Sequence, residues 1–114
     1  MTLKNVVLNG DSAIGHTDIQ GNAVTGTVTA TGKLTVSGKK VARSGDTVFF
    51  PSHPHQIVLG SPADYQTHSV PVSGSGKLVD SGGHVVLDGA IVAVADSAGP
   101  DATITASSTK LKSF

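Results

Sequence analysis

The side chains able to do chemistry here are histidines, and two of them sit between prolines in Pro51-Ser52-His53-Pro54-His55. Each proline sets its own φ. The residue before a proline is pushed out of the α region, so Phe50 and His53 should be extended. Side chains two apart on an extended chain point the same way, so the imidazoles of His53 and His55 should converge. Paired imidazoles suit a borderline-soft divalent cation. Further ligands must come from other elements. His16, at the end of a first extended segment, and His84, at the opening of a third, are the candidates, which makes the expected metal ligands His16, His53, His55 and His84. His68 falls in a less constrained stretch. The chain has no cysteine, so disulfides and thiolate ligands are excluded.

Catalysis has less to work with. His16 and Asp18 are close in sequence, and Asp46 precedes His53 by a loop, but no Gly-X-Ser-X-Gly nucleophile turn accompanies either pair. The reading is therefore not an enzyme. A metal-bound water on an open three-histidine site is the remaining catalytic alternative. A small β-sheet binding or adhesion module is another.

These residues must be placed by strands. Three segments share one pattern of apolar residues, a small polar residue, a glycine and a second extended run. They are Val6-Val7-Leu8-Asn9-Gly10, Leu34-Thr35-Val36-Ser37-Gly38 and Val85-Val86-Leu87-Asp88-Gly89. Asn-Gly and Asp-Gly are strong signals for two-residue hairpin turns, and Ser-Gly is a weaker one. Aligned on the turn glycine, Asp18 and Asp46 fall at the same offset, and Asp96 one residue short. This predicts an internal repeat of three related hairpins. The excess length between the second and third copies lies in residues 62–83, read as an inserted loop or extra hairpin. No window carries a 3.6-residue apolar period, so little or no helix is expected.

Composition agrees with an all-β fold. Fourteen glycines and frequent Ser and Thr suit short strands and tight turns. With 114 residues, one domain over 1–114 is expected. Aromatics make up 4 % and tryptophan is absent, so the core must be thin, and a metal ion or partner surface is expected to contribute to stability. The net charge is zero, which offers no electrostatic argument for nucleic acid. Val6-Val7-Leu8 is too short an apolar run for a signal-peptide core, so the chain is expected to start out soluble in the cytoplasm. Three related hairpins that bury their apolar faces on one another would form a small pseudo-threefold wedge or cone.

The stretch Ser37-Gly38-Lys39-Lys40-Val41-Ala42-Arg43-Ser44-Gly45-Asp46 resembles the repeat of the PAAR family, the small proteins that tip the spikes of contractile injection systems. The match lies at the turn glycine, Lys39, Ala42, Arg43, Gly45 and Asp46, while Lys40 and Val41 depart from the family's Pro-Ala. The following Phe50-Pro51-Ser52-His53, then Ile57-Val58-Leu59-Gly60-Ser61, is similar to the family's next segment, with Phe50 at its cysteine position. The likeness covers about residues 32–62 and weakens toward both ends.

The resemblance implies a mechanical role. A tip of this kind caps a trimeric β-helical spike, one copy per trimer, and helps it pierce a target cell envelope. The setting is a phage tail baseplate, where the tip is part of the virion, or a type VI secretion system, whose spike is expelled from the bacterial cytoplasm. The resemblance also implies a zinc ion near the point, with iron as the alternative for an all-histidine site. It supports His53 most directly and His16 next. His55 is the natural substitute for the missing cysteine.

Overall fold

Backbone pairing, not helix, organises the described residues. The computed structural model describes residues 3–18, 21–56, 64–94 and 100–114, without the side chains of 54–56 and 64–66. Among these residues there is no helix, and so none long and apolar enough to cross a membrane. The fold is all-β, as composition predicted.

Six strands form one antiparallel sheet. They are β2 (Ser12–Thr17), β3 (Ala23–Thr29), β6 (Thr47–Gln56), β7 (Asp64–Pro71), β10 (Ile91–Val92) and β11 (Ala102–Thr105). Their order across the sheet is β10-β11-β2-β3-β6-β7. Strand β3 alternates strictly, with Val24, Gly26 and Val28 inward and threonines outward, the period-2 signature of a half-buried strand. Six short strands make three two-stranded arms. The first arm pairs β1 (Lys4–Asn5) with β12 (Lys112–Ser113), the two ends of the chain. The second pairs β4 (Thr35–Val36) with β5 (Lys39–Lys40), and the third β8 (Val79–Asp80) with β9 (Gly83–His84).

Between arms and sheet, three segments close a ring. Val7 N donates to Val86 O at 2.9 Å, Ala42 N to Val7 O at 2.9 Å, and Val86 N to Ala42 O at 3.0 Å. Isolated bridges join the same segments in the same cyclic sense: Leu8 with Val41, Arg43 with Val85, and Leu87 with Val6. After the ring each segment turns a corner. Asp11 N donates to Leu8 O, Asp46 N to Arg43 O and Ala90 N to Leu87 O, at 3.0–3.1 Å. In each corner the glycine alone has positive φ (Gly10 +88°, Gly45 +95°, Gly89 +86°), which makes these type II turns. The corner glycines then donate to Val28, Val72 and Ile104. One set of backbone bonds thus occurs three times, on residues 6–11, 41–46 and 85–90.

This corrects the repeat as read from sequence. Asn9-Gly10 and Asp88-Gly89 do not close hairpins; their partner in the repeat is Ser44-Gly45, not Ser37-Gly38. The type I′ hairpin turn needs positive φ at both central residues. Among the described residues only Ser37-Gly38 (+53°, +81°) and Ser81-Gly82 (+51°, +82°) meet that condition, and they close the second and third arms. The carboxylates that match are Asp11 and Asp46. Asp11 caps Leu8 N at 2.8 Å and Asp46 caps Arg43 N at 2.9 Å. Of residues 62–83, the described part begins as β7, paired along β6, and ends inside the third arm.

The ring divides the core. Val7, Ala42 and Val86 face one cluster with Phe50, Val28, Val48, Val72 and Ile104 beneath the sheet. Val6, Leu8, Val41, Val85 and Leu87, one residue out of phase, face a second cluster toward the arms. Burying each such aliphatic side chain contributes about 1.5–3 kcal/mol before the entropy cost of ordering it. The molecule is elongated, with extents of 51 × 25 × 21 Å. Its radius of gyration is 15.2 Å, against about 13 Å for a compact domain of this length.

Candidate functional site

Strands β2 and β6 each leave a corner of the ring and run outward, and each carries one buried histidine well beyond it. Neither histidine is placed by simple alternation. In β2 the inward residues are Ala13 and His16, three apart. The pairing with β3 shifts register between them, and Gly15 holds φ at +105°. This β-bulge inserts one extra residue and turns His16 inward. In β6, Phe50 and His53 are both buried and again three apart, and the pairing with β7 shifts between them. Pro51 lies inside that shift, just past the last residue paired with β3, Phe49. A residue without an N–H is tolerated there because it interrupts no ladder bond on that side.

His16 is 1 % exposed and His53 4 %. Their ring centroids are 5.4 Å apart at an interplanar angle of 74°. His53 also stands 5.2 Å from His68 of β7, and His16 meets the edge of Phe50 at 5.6 Å. Both buried rings are oriented the same way. Nδ1 of His16 lies 2.8 Å from Pro100 O, and Nδ1 of His53 lies 2.7 Å from Pro51 O. A carbonyl oxygen only accepts, so in each ring Nδ1 carries the proton and donates. In the neutral imidazole that leaves the lone pair on Nε2. Histidines that hold metals are oriented in this way by backbone carbonyls.

The spacing fits a metal as well. With Zn–N bonds of about 2.0–2.1 Å in tetrahedral geometry, imidazole centroids on one ion stand about 5 Å apart. His16 with His53, and His53 with His68, both meet that spacing. Among the described residues no three His, Cys, Asp or Glu side chains are grouped so that they could hold a metal ion together. The described contacts thus supply an oriented pair with a third ring beside it.

The expected ligands fare differently. His16 and His53 come together. His55 is in β6, and its side chain lies outside those described. His84 is exposed on β9, in the third arm on the other side of the ring, with Nδ1 2.9 Å from Gly76 O. It makes none of the described ring contacts with the other histidines. His68, which sequence reasoning set aside, is brought in by the β6–β7 register, which sets it opposite Phe50. Nothing local in Gln66-Thr67-His68-Ser69 announces that pairing.

Asp18, the carboxylate nearest His16 in sequence, is buried. Its Oδ1 accepts Asn22 N at 3.0 Å across the β2–β3 turn.

A scan against models of protein families matches none, and a search of curated proteins returns no match.

Proposed function

We propose that this chain is a metal-stabilised tip of the PAAR kind, which sharpens the trimeric β-helical spike of a contractile injection machine and helps it through a cell envelope. The observation that carries this reading is the backbone bond set shared by residues 6–11, 41–46 and 85–90. A single chain that must sit on the end of a true trimer has to offer each subunit nearly the same contact. Three arms tied by a cyclic ring offer that. The residue likeness over 32–62 points to the same family, and its Arg43-Ser44-Gly45-Asp46 is one of the three corners.

The role is mechanical, without catalysis and without nucleic acid. His16 and His53 would hold a zinc ion, or iron, with His68 and the neighbouring His55 as further donors. A bound ion cross-links strands that the thin core leaves weakly joined. His16 belongs to β2 and His53 to β6, with β3 between them, so a shared ion would tie together the outer part of the sheet. The ligand set differs here from the expectation: His84, on an arm, is replaced by His68. A phage baseplate and a secretion spike fit this reading equally.

Two measurements test it. Elemental analysis of the purified chain should find about one transition metal per chain, and a chelator should lower the melting temperature. His16→Ala and His53→Ala should each lose the metal. Absence of metal together with no chelator effect overturns the site. Co-expression with the β-helical spike protein encoded beside it should give one copy per trimer; no association overturns the docking role.

A further inference from the structure

We propose that the groove between the first and second arms is a carboxylate-binding notch, filled by an acidic segment of the protein on which the arm end docks. The inference rests on the spike reading only for which molecule supplies the acid.

It begins with a charge separation that the net charge of zero conceals. All seven lysines lie in the arms or their flanks: Lys4, Lys110 and Lys112 in the first, Lys33, Lys39 and Lys40 in the second, Lys77 in the third. All seven are exposed. The only acid in these arms is Asp80. Seven lysines against one aspartate leave the arms at +6, and Arg43 against the other seven aspartates leaves the rest of the chain at −6.

The arms also touch one another in cyclic order, and two of the three junctions are capped. Asp80, in the third arm, accepts Lys33 N at 3.2 Å and Leu34 N at 3.1 Å of the second. Ser113, in the first arm, accepts Leu78 N of the third at 3.2 Å. Leu34, Leu78 and Leu111 are equivalent, since each accepts from the first ring residue of its unit (Val41, Val85, Val6). Two residues further on, the equivalent positions are Val36, Asp80 and Ser113. Valine therefore stands where the other two arms have an oxygen acceptor.

A groove of about 370 Å³ opens at this one uncapped junction. Lys39, Lys110, Ser37 and Ser108 line it above an apolar floor of Leu8 and Val36. Lys110 Nζ donates to Ser37 Oγ at 2.7 Å, which holds its ammonium at the groove. The one carboxylate bonded to the lining, Asp11, is already engaged by Leu8 N and by the amide and hydroxyl of Ser107, so the two ammonium groups and the Ser37 and Ser108 hydroxyls remain the complement of an acidic side chain. The apolar floor, and Leu34, Val79 and Phe114 exposed elsewhere on the arms, call for a partner that also brings apolar side chains. That combination favours an acidic protein segment over a phosphate backbone, which would leave these residues uncovered.

The probe is a capped peptide of alternating Glu and Leu, titrated into the isotope-labelled full chain and followed by amide NMR shifts. The expected shifts centre on Lys39, Ser108 and Lys110. Binding should weaken about tenfold or more between about 0.05 and 0.5 M NaCl, as the screening length shrinks. The Lys39→Glu, Lys110→Glu double variant should lose it, with its spectrum otherwise retained because both side chains are exposed. Val36→Asp, which supplies the missing carboxylate from within, should also abolish it. Shifts elsewhere, no binding at millimolar peptide, equal binding of the Gln-for-Glu peptide, or tighter binding of duplex DNA or phosphatidylserine vesicles overturns the inference. If the spike fails to co-purify while the peptide fills the notch, the spike reading falls and this one stands. If the double variant associates with the spike as well as the natural chain does, this one falls and the spike reading stands.

Discussion

Single residues here act mainly as caps. Asp80 shows the physics most fully. It is 5 % exposed, and burial alone would push its carboxyl up. The amides of Leu34 and Lys33, the Ser81 hydroxyl and the Arg43 charge outweigh that and hold it below its ordinary value. A carboxyl depressed in the folded state adds stability that is present above its unfolded value, about pH 4, and lost as pH falls through the folded value. Urea midpoints of the natural chain and Asp80→Asn should therefore differ most above about pH 5 and converge in acid. A constant difference down to low pH would mean that the charge contributes nothing and only the hydrogen bonds matter. Asp11 and Asp46 cap backbone amides at the corners, Leu8 N and Arg43 N, and also accept the hydroxyls of Ser107 and Thr31. The third corner has Ala90 at the matching place and so lacks that carboxylate.

At the scale of the element, bulges decide what the strands present. Strict alternation from Ala13 would have buried Gly15 and exposed His16. The extra residue at Gly15 reverses this, and its φ of +105° is one that a side chain adopts only under strain. A Cβ there would meet nothing closer than Asp101 O at 3.5 Å, so the conflict is conformational, not steric. Gly15→Ala is expected to cost about 1–3 kcal/mol in denaturant unfolding and to reduce metal content, because relieving the strain rotates His16 away from His53. Full stability with full metal loading in that variant would show that the bulge does not position the ring. The same reasoning explains how far the site was legible. His53 could be singled out from its prolines, and His16 from its place at a strand end. The bulges, and the pairing that brings His68 across from β7, depend on contacts between strands far apart in sequence, which no local pattern encodes.

For the whole molecule, the same ring bonds serve all three arms, although one of them pairs Lys4–Asn5 with Lys112–Ser113 and the other two are local hairpins. If the cyclic bond set, and not chain order, holds the fold, the position of the break should matter little. A circular permutant that joins the ends of the first arm through a Ser-Gly turn and opens at Ser37-Gly38 should retain the dispersed amide spectrum and cooperative melting of the natural chain. Collapse of that permutant would mean that the second hairpin turn is needed as a covalent nucleus. The elongated form, 51 Å long, belongs to the same scale. Arms, ring and sheet follow one another along each unit, so basic arms and buried histidines fall on opposite sides of the ring.

The sequence by itself determined the all-β character, because a chain of Gly, Thr, Val and Ser without helical periodicity has few other ways to satisfy its backbone. It also singled out histidine as the residue type with chemistry to offer, and apolar triplets recur in it before small polar-glycine pairs. Only the tertiary structure decided which glycines correspond. Ser37-Gly38 and Ser44-Gly45 look alike locally, and what separates them is the sign of one φ at the serine, +53° at Ser37. That sign is set by what the flanking segments pair with: Thr35–Val36 returns on Lys39–Lys40, whereas Val41 and Arg43 reach across the ring to Leu8 and Val85. A dipeptide cannot carry that information, because the energy that chooses between hairpin and corner lies in long-range bonds made by its neighbours.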